Sequence, residues 1–286
     1  MTGKDRIPAE NLAIWREAAA QSDELRCLQA ALMARDVGAH LSKHAELTPA
    51  LLPEPLREGA DAVATAREQV AFCATLVEAV PDLGKAAEQP ARLPAHPRVA
   101  LLSGPVFAGA LQRFSPLLSG ARPLHLSSLS DLLEEVAAGR ADLALLPMED
   151  AKGTRFLHFY EEFDRLELRV ICTCSLPAAA YEQSARFALI AGHRAPCMLP
   201  QAEPMMDCRL ACEEPSTLYR LLAAADAAGA SLRRLDSLPT EAGTLYFPTF
   251  AADHRTQQVL EVYMALCLPR ATVVGRYFHL QEGEQK

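Results

Sequence analysis

Hydrophobic and polar positions divide this chain into three blocks with different periodicities. Residues 8–88 follow a helical pattern rich in Ala, Leu, Glu and Arg, without the alternation that half-buried strands show. Residues 98–192 alternate short apolar strands with helices, and residues 205–280 contain strands at both ends. Proline-rich stretches at Gln89–Pro97 and Pro196–Pro204 separate the blocks. We therefore predict three domains with the bounds 8–88, 98–192 and 205–280.

The first block contains a break rich in proline, at Thr48-Pro49 and Leu52-Pro53-Glu54-Pro55. Proline ends a helix because it lacks the backbone N–H and clashes with the preceding turn. The pattern predicts one long helix over about 9–46 and shorter helices after Leu56.

The middle block predicts an α/β unit. Ser130 and Gly139 bound one of its helices, as a cap and as a terminator. The predicted elements are, in order, strand Arg98–Ser103, helix Ala108–Phe114, strand Leu124–Ser127, helix Asp131–Ala138 and strand Asp142–Pro147.

The third block predicts the order β-α-β-β-α-β, which is that of a ferredoxin-like split unit. Its first helix begins near Glu213 and ends at Gly229. The predicted strands are Cys208–Cys212, one ending in Asp236–Pro239, Thr244–Phe250 and Ala271–Tyr277, with a second helix near Gln257–Ala265. The fold class that we predict for the whole chain is α+β multidomain, with an N-terminal helical bundle before the two mixed units.

Composition narrows the possible functions. The chain has 286 residues, half of them hydrophobic, and a net charge of −8. No apolar run reaches the roughly 20 residues of a membrane span, and the first residues lack the apolar core of a signal peptide. The negative charge gives no basic face for nucleic acid. We expect a cytoplasmic protein that binds neither membrane nor nucleic acid, in which an anionic ligand requires a local cluster of arginine or lysine.

The eight cysteines do not follow a zinc pattern. Cys172 and Cys174 form a C-x-C pair in a predicted strand, whereas zinc sites usually combine two C-x₂₋₄-C pairs. We expect buried free thiols, no metal site and no cofactor.

Two short motifs give the third block a family resemblance. Pro215-Ser216-Thr217-Leu218 and Asp236-Ser237-Leu238-Pro239 stand where the ACT regulatory domain of prephenate dehydratases has Pro-Gly-Ala-Leu and Glu-Ser-Arg-Pro. The resemblance implies a homodimer and an effector such as L-phenylalanine, bound by Ser216, Thr217, Leu218, Asp236 and Ser237. A purely structural, dimer-forming role is the alternative.

The middle block resembles the first lobe of prephenate dehydratase. Leu146-Pro147-Met148-Glu149-Asp150-Ala151 stands at the Val-Pro-Ile-Glu-Asn-Ser motif of the family, and Ala185-Arg186-Phe187 stands at its Thr-Arg-Phe signature. The family inserts a second lobe between these points, but here only seven residues separate Pro177 from Ala185. We predict a single lobe, with Glu149, Asp150 and Arg186 as remnants of the dehydratase site. A solvated loop is the alternative for Glu149 and Asp150.

The first block resembles the AroQ-type chorismate mutase domain. Glu54-Pro55-Leu56-Arg57-Glu58 stands at the Asp-Pro-x-Arg-Glu motif of the family, and Arg35 stands at a catalytic arginine of its long helix. Rearrangement of chorismate develops negative charge on the ether oxygen, so that preorganised cations are needed. The resemblance implies mutase-like roles for Arg35, Arg57, Glu54 and Lys43. Ordinary solvated arginines are the alternative.

Taken in order, the three blocks resemble a bifunctional chorismate mutase–prephenate dehydratase. The resemblance implies the L-phenylalanine branch of aromatic amino-acid biosynthesis and a small-molecule ligand, either chorismate or prephenate or L-phenylalanine. Because dehydratase motifs and the second lobe are lost, we expect impaired catalysis. A non-catalytic protein that senses an aromatic amino acid or binds a partner protein is the alternative.

Overall fold

The computed structural model describes residues 9–41, 46–57, 62–80, 83, 94–118, 120–149, 152–176, 185–192, 202–241 and 243–280. The helices are α1 Ala9–His40, α2 Ala62–Ala79, α3 Pro105–Arg113, α4 Leu129–Ala137, α5 Phe159–Leu166, α6 Pro215–Ala227 and α7 His254–Cys267. The strands are β1 Arg98–Leu102, β2 Arg122–Leu126, β3 Leu143–Pro147, β4 Leu168–Leu176, β5 Ala185–Gly192, β6 Glu203–Cys212, β7 Ser231–Thr240, β8 Gly243–Ala251 and β9 Ala271–Leu280.

The nine strands form one continuous sheet, in the order β2-β1-β3-β5-β4-β9-β6-β8-β7. Its first five strands come from the middle block and its last four from the third block. The two sets join where β4 and β9 run parallel, with Cys172 opposite Phe278 and Cys174 opposite Leu280. The α/β fold predicted for the middle block is confirmed.

A β-hairpin lies where the resemblance places the second lobe. Strands β4 and β5 pair antiparallel, and Leu176 at the end of β4 stands opposite Ala185 at the start of β5. Only the eight residues 177–184, which are outside the described part, connect them. A chain that returns at once to the neighbouring strand has no length in which to build another lobe.

The third block has the β-α-β-β-α-β order that the sequence predicts, with the strand order β9-β6-β8-β7. The predicted strand that ends in Asp236–Pro239 is β7, in which these residues pair with residues 244–247 of β8. The turn lies further along, at Thr240–Gly243.

Hydrophobic side chains cover the sheet on both faces. The front face, which includes Ile190, Met205 and Phe247, packs against α4 and α5. The back face packs against α3 at the middle block, and against α6 and α7 at the third block. Alternate residues of each strand therefore face opposite layers.

The N-terminal helices share a core with the third block. Phe72 and Leu76 of α2 lie in one buried cluster with Leu260 and Tyr263 of α7. The helix predicted to reach residue 46 ends at His40, and two short 3-10 turns, Pro49–Leu51 and Glu54–Leu56, precede α2. Both turns begin at or next to a proline, whose fixed φ suits the first turn of a helix.

Candidate functional site

A buried ion pair joins the middle block to the third block. Arg155 lies in the loop between β3 and α5, and Asp207 lies at the centre of β6; their side chains are 4% and 2% exposed. A guanidinium Nη2 of Arg155 contacts Oδ2 of Asp207 directly. Removing two charges from water is costly unless each is paired and hydrogen-bonded, so such a pair fixes the two elements relative to each other.

Three hydroxyl groups complete what we call the junction network, formed by Arg155, Tyr160, Asp207, Thr249 and Tyr277. Asp207 Oδ1 accepts from Thr249 Oγ1 at 2.6 Å and from the Tyr277 hydroxyl at 3.1 Å. The Tyr160 hydroxyl donates to Oδ2 of Asp207. Arg155 Nη1 donates to Thr249 Oγ1 at 2.9 Å. The network therefore connects α5 and its preceding loop to three strands of the third block.

Burial holds the two phenols of this network in the neutral form. It raises the pKa of both Tyr160 and Tyr277, and the negative charge of Asp207 raises each further. Burial lowers the pKa of Arg155, but Asp207, Tyr160, Tyr277 and Asp236 together outweigh this effect, and the net pKa lies above its ordinary value. At neutral pH the network thus holds one cation, one anion and neutral hydroxyl donors.

A second, half-buried group borders the network, and we call it the rim cluster: Glu149, Arg186, Arg234 and Asp236. Arg234 binds Asp236 through Nε at 2.6 Å and Nη2 at 2.9 Å. Its Nη1 donates to Glu149 Oε1 at 2.6 Å. Arg155 Nη1 lies 3.7 Å from Asp236 Oδ2 and links the cluster to the junction network.

The rim cluster brings together residues that the sequence assigned to two separate sites. Glu149 and Arg186, predicted as dehydratase remnants, lie with Arg186 Nη1 3.8 Å from Glu149 Oε1. Asp236, predicted as an effector residue, meets them through Arg234. Asp150 is outside the described residues. Arg234 therefore forms an ion pair with each of the two carboxylates, Glu149 and Asp236.

The other predicted effector residues lie on the opposite side of the sheet. Asp236 stands opposite Phe247 and faces the front, whereas α6 packs on the back face. At the start of α6, Ser216 is exposed and Thr217 half-buried, and Ser216 Oγ donates to Glu214 Oε2 at 3.4 Å. Leu218 is in the core, and Ser237 is exposed on β7. Within one chain, Asp236 does not converge with the start of α6.

The predicted mutase residues are also separated. Arg35 is exposed on α1 next to Ala34, which is buried. Arg57 donates from Nε to the Leu52 carbonyl at 2.8 Å and from Nη2 to the Ala50 carbonyl at 3.1 Å. Glu54 is exposed in the first turn of its 3-10 helix, and Lys43 is outside the described residues. The contacts of Arg57 hold the loop before α2.

The sequence contains one signal for the junction network. Asp207 follows Met205 and Met206 and precedes Cys208, and all three neighbours are apolar. A carboxylate in a buried strand requires a partner, because an unpaired buried charge is strongly unfavourable. Which residue is that partner could not be deduced, since Arg155 is 52 positions away.

Among the described residues, no three or more His, Cys, Asp or Glu side chains gather as metal ligands would. No helix in the described part of the chain has the length and apolar character required to cross a bilayer.

No family model and no curated protein matches this sequence. Among solved structures, prephenate dehydratase from Streptococcus mutans is similar with a TM-score of 0.51 and 17% identity, over 64% of this chain and 99% of that chain. GqqA, described as a novel type of quorum quenching acylase, gives a TM-score of 0.49 and 19% identity over 66% and 98%. Prephenate dehydratase from Arthrobacter aurescens in complex with L-Phe gives 0.48 and 17% over 63% and 89%.

The likeness to the Streptococcus mutans structure defines the class of fold. The described chain has a mixed α/β fold like that of prephenate dehydratases. At 17% identity the likeness extends to the fold alone.

Proposed function

We propose that this chain descends from the prephenate dehydratases of the phenylalanine branch and has lost efficient dehydration. The observation that carries the proposal is the β4–β5 hairpin, in which Leu176 stands opposite Ala185. Dehydration of prephenate needs an acid for the departing hydroxyl in a cleft that excludes water. In such a cleft, at an effective dielectric near 20, charges act several-fold more strongly than in bulk water, and the short β4–β5 connection leaves no room for the second lobe that would close one.

The side chains at the positions of the dehydratase motifs support the same proposal. Glu149 is the carboxylate at the position of the family motif, and it accepts from Arg234 at 2.6 Å. A carboxylate oxygen that already accepts from a guanidinium is poorly placed to donate a proton to a leaving hydroxyl. Ala185, at the position of the signature threonine, offers no hydroxyl.

A prephenate assay tests the proposal. We expect phenylpyruvate to form from prephenate no faster with the protein than without it, and Glu149→Gln to change nothing. The Streptococcus mutans enzyme serves as the positive control, and chorismate disappearance is followed in parallel with Arg35→Ala. A turnover number of about 1 s⁻¹ or more, within the usual enzyme range, would contradict the proposal.

A second candidate is a homodimer that senses an aromatic amino acid through its third block, as an ACT-like regulatory domain. Two observations favour it. The edge strand β7 exposes Leu232 and Leu235, at 45% and 41%, and Tyr219 of α6 is 65% exposed. No side chain caps α6 at Glu214, so its first N–H groups are suited to a carboxylate.

Sedimentation with and without millimolar phenylalanine tests this second candidate. We expect twice the mass of the 31.0 kDa chain, since most soluble oligomers are two-fold dimers. Ligand at a hundred times its dissociation constant would add about 2.7 kcal/mol to the free energy of unfolding. A single-chain mass and an unchanged melting temperature would together exclude the sensor.

A further inference from the structure

Two free cysteines meet where the N-terminal helices pack on the third block. Glu78, near the end of α2, pairs with Arg255 at the start of α7. Cys73 lies earlier in α2, and Cys267 is the last residue of α7. Both are free thiols in the core that α2 and α7 share, where Cys73 is fully buried and Cys267 is half-buried against it.

The side chains of Cys73 and Cys267 are in contact. Tyr263 and Cys267 are four residues apart in α7 and therefore lie on one face of that helix. Tyr263 is buried in the cluster that contains Cys73, so this face is the one that meets α2. The two thiols share a hydrogen bond, and Tyr263 lies beside both. Cysteines whose thiols already touch can be linked without the large backbone movement that distant ones require.

The two thiols differ in their access to solvent. Burial raises the pKa of Cys73 well above its ordinary value, and the hydrogen bond with Cys267 raises it further. Because the thiolate is the reactive form, Cys73 alone is inert toward an oxidant in solution. Cys267 is only partly buried. An oxidant therefore meets Cys267 first, with Cys73 directly behind it.

We propose that Cys267 is a site of reversible oxidation by peroxides, with Cys73 as the second thiol that closes a disulfide. Hydrogen peroxide converts the Cys267 thiol into a sulfenic acid and releases one water. The Cys73 sulfur then attacks the Cys267 sulfur, the S–O bond breaks, and the hydroxyl leaves with the Cys73 proton as a second water. The two thiols lose two electrons and two protons, and the peroxide accepts them.

The disulfide fixes α2 to α7 and thereby joins the N-terminal helices covalently to the third block. In the reduced protein this joint contains apolar packing and the Glu78–Arg255 pair, which is exposed and contributes little. The middle block, residues 98–192, lies between the two cysteines, so the link closes a long loop. A cross-link over a long loop restricts the unfolded chain most and therefore stabilises the folded one. In a reducing compartment the pair is a dithiol, and the link forms when peroxide appears.

Peptide mapping of the full-length chain after exposure to hydrogen peroxide tests the inference. Trypsin cleaves after Lys and Arg, so that Cys73 falls in peptide 68–85 and Cys267 in peptide 256–270, each with a single cysteine. We expect these two peptides to be linked, in a chain that keeps its single-chain mass under denaturing, non-reducing conditions. Dithiothreitol should separate them. The urea midpoint of the oxidised chain should exceed that of the reduced chain, and amide hydrogen exchange in α2 should slow.

Cys267→Ser, at a partly buried position, should abolish both the linked peptides and the rise in the urea midpoint, and Cys73→Ala should do the same. Cys27→Ser is the matched control, because Cys27 is also partly buried but lies beside Asp23 and Glu68. This variant should form the link as the wild type does. A folded wild type in which peroxide oxidises Cys267 without linking it to Cys73, or does not oxidise it, would overturn the inference. A link that leaves the urea midpoint and the exchange of α2 unchanged would overturn its role in fixing the helices.

Discussion

Replacing Asp207 by Asn should lower the free energy of unfolding by about 3–5 kcal/mol, as removal of one partner from a buried ion pair does. The substitution keeps the size of the side chain but leaves the Arg155 guanidinium, 4% exposed, without its counter-charge. It also disturbs the hydrogen bonds from Thr249 and Tyr277. Urea unfolding followed by circular dichroism measures the change.

Glu213→Gln is the matched control for this carboxylate-to-amide change. Glu213 pairs with Arg270, but the two side chains are 66% and 63% exposed. An exposed pair contributes at most about 1 kcal/mol, so this variant should unfold almost as the wild type does. A loss at Asp207 no larger than that at Glu213 would show that the junction network does not hold the two blocks together.

A double variant sharpens the same test. Asp207→Leu with Arg155→Met removes both charges, whereas each single substitution leaves one charge buried alone. We expect the double variant to be more stable than either single one. Additive losses would mean that the two residues act independently.

Replacing Gly243 by Ala should lower the free energy of unfolding by about 3 kcal/mol, through a strained backbone and a steric clash. Gly243 has a φ of 134°, a region that residues with a Cβ rarely adopt. The added Cβ would lie 2.4 Å from the carbonyl oxygen of Cys212, at the end of β6. The β7–β8 turn would have to move away from the segment that leads into α6.

Gly139→Ala separates the two causes in this prediction. Gly139 also has a positive φ, of 69°, but an added Cβ would have nothing within 4 Å. The cost there should be only that of the left-handed backbone, about 1–2 kcal/mol. If Gly243→Ala and Gly139→Ala have the same urea midpoint, the contact with Cys212 has no effect on stability.

Local features of the sequence predicted much of the fold. Alternating apolar runs predicted the order of strands and helices over residues 98–147 and through the third block. The short spacing between Pro177 and Ala185 predicted that no second lobe is inserted at this point of the chain. Each of these predictions depends on residues that are close together in the chain.

The joining of the two sets of strands could not be predicted in this way. Cys172 and Phe278 are opposite each other in the sheet but 106 positions apart, and nothing in either strand encodes the pairing. The same holds for the candidate site. Glu149, Arg186 and Asp236 were recognised one at a time, yet Arg234, which holds Glu149 and Asp236, has no motif. Long-range pairing decides which charges meet.

The parallel pairing of β4 with β9 places the third block directly beside the β4–β5 hairpin. Native Cys172 stands opposite Phe278 in the register, and both pack into the same back-face core. Neighbouring strands are about 4.8 Å apart, which is within the Cα separation that a disulfide spans. Leu280, opposite Cys174, offers a second position of the same kind.

Oxidation of Phe278→Cys, followed by peptide mapping with mass spectrometry, tests this pairing most directly. We expect the introduced cysteine to form a disulfide with Cys172, and the cysteine of Leu280→Cys to form one with Cys174. A cysteine at Thr272, which stands opposite Arg209 in β6, should cross-link with neither. If neither Phe278→Cys nor Leu280→Cys, shown to be folded, links to β4, the continuous sheet is contradicted.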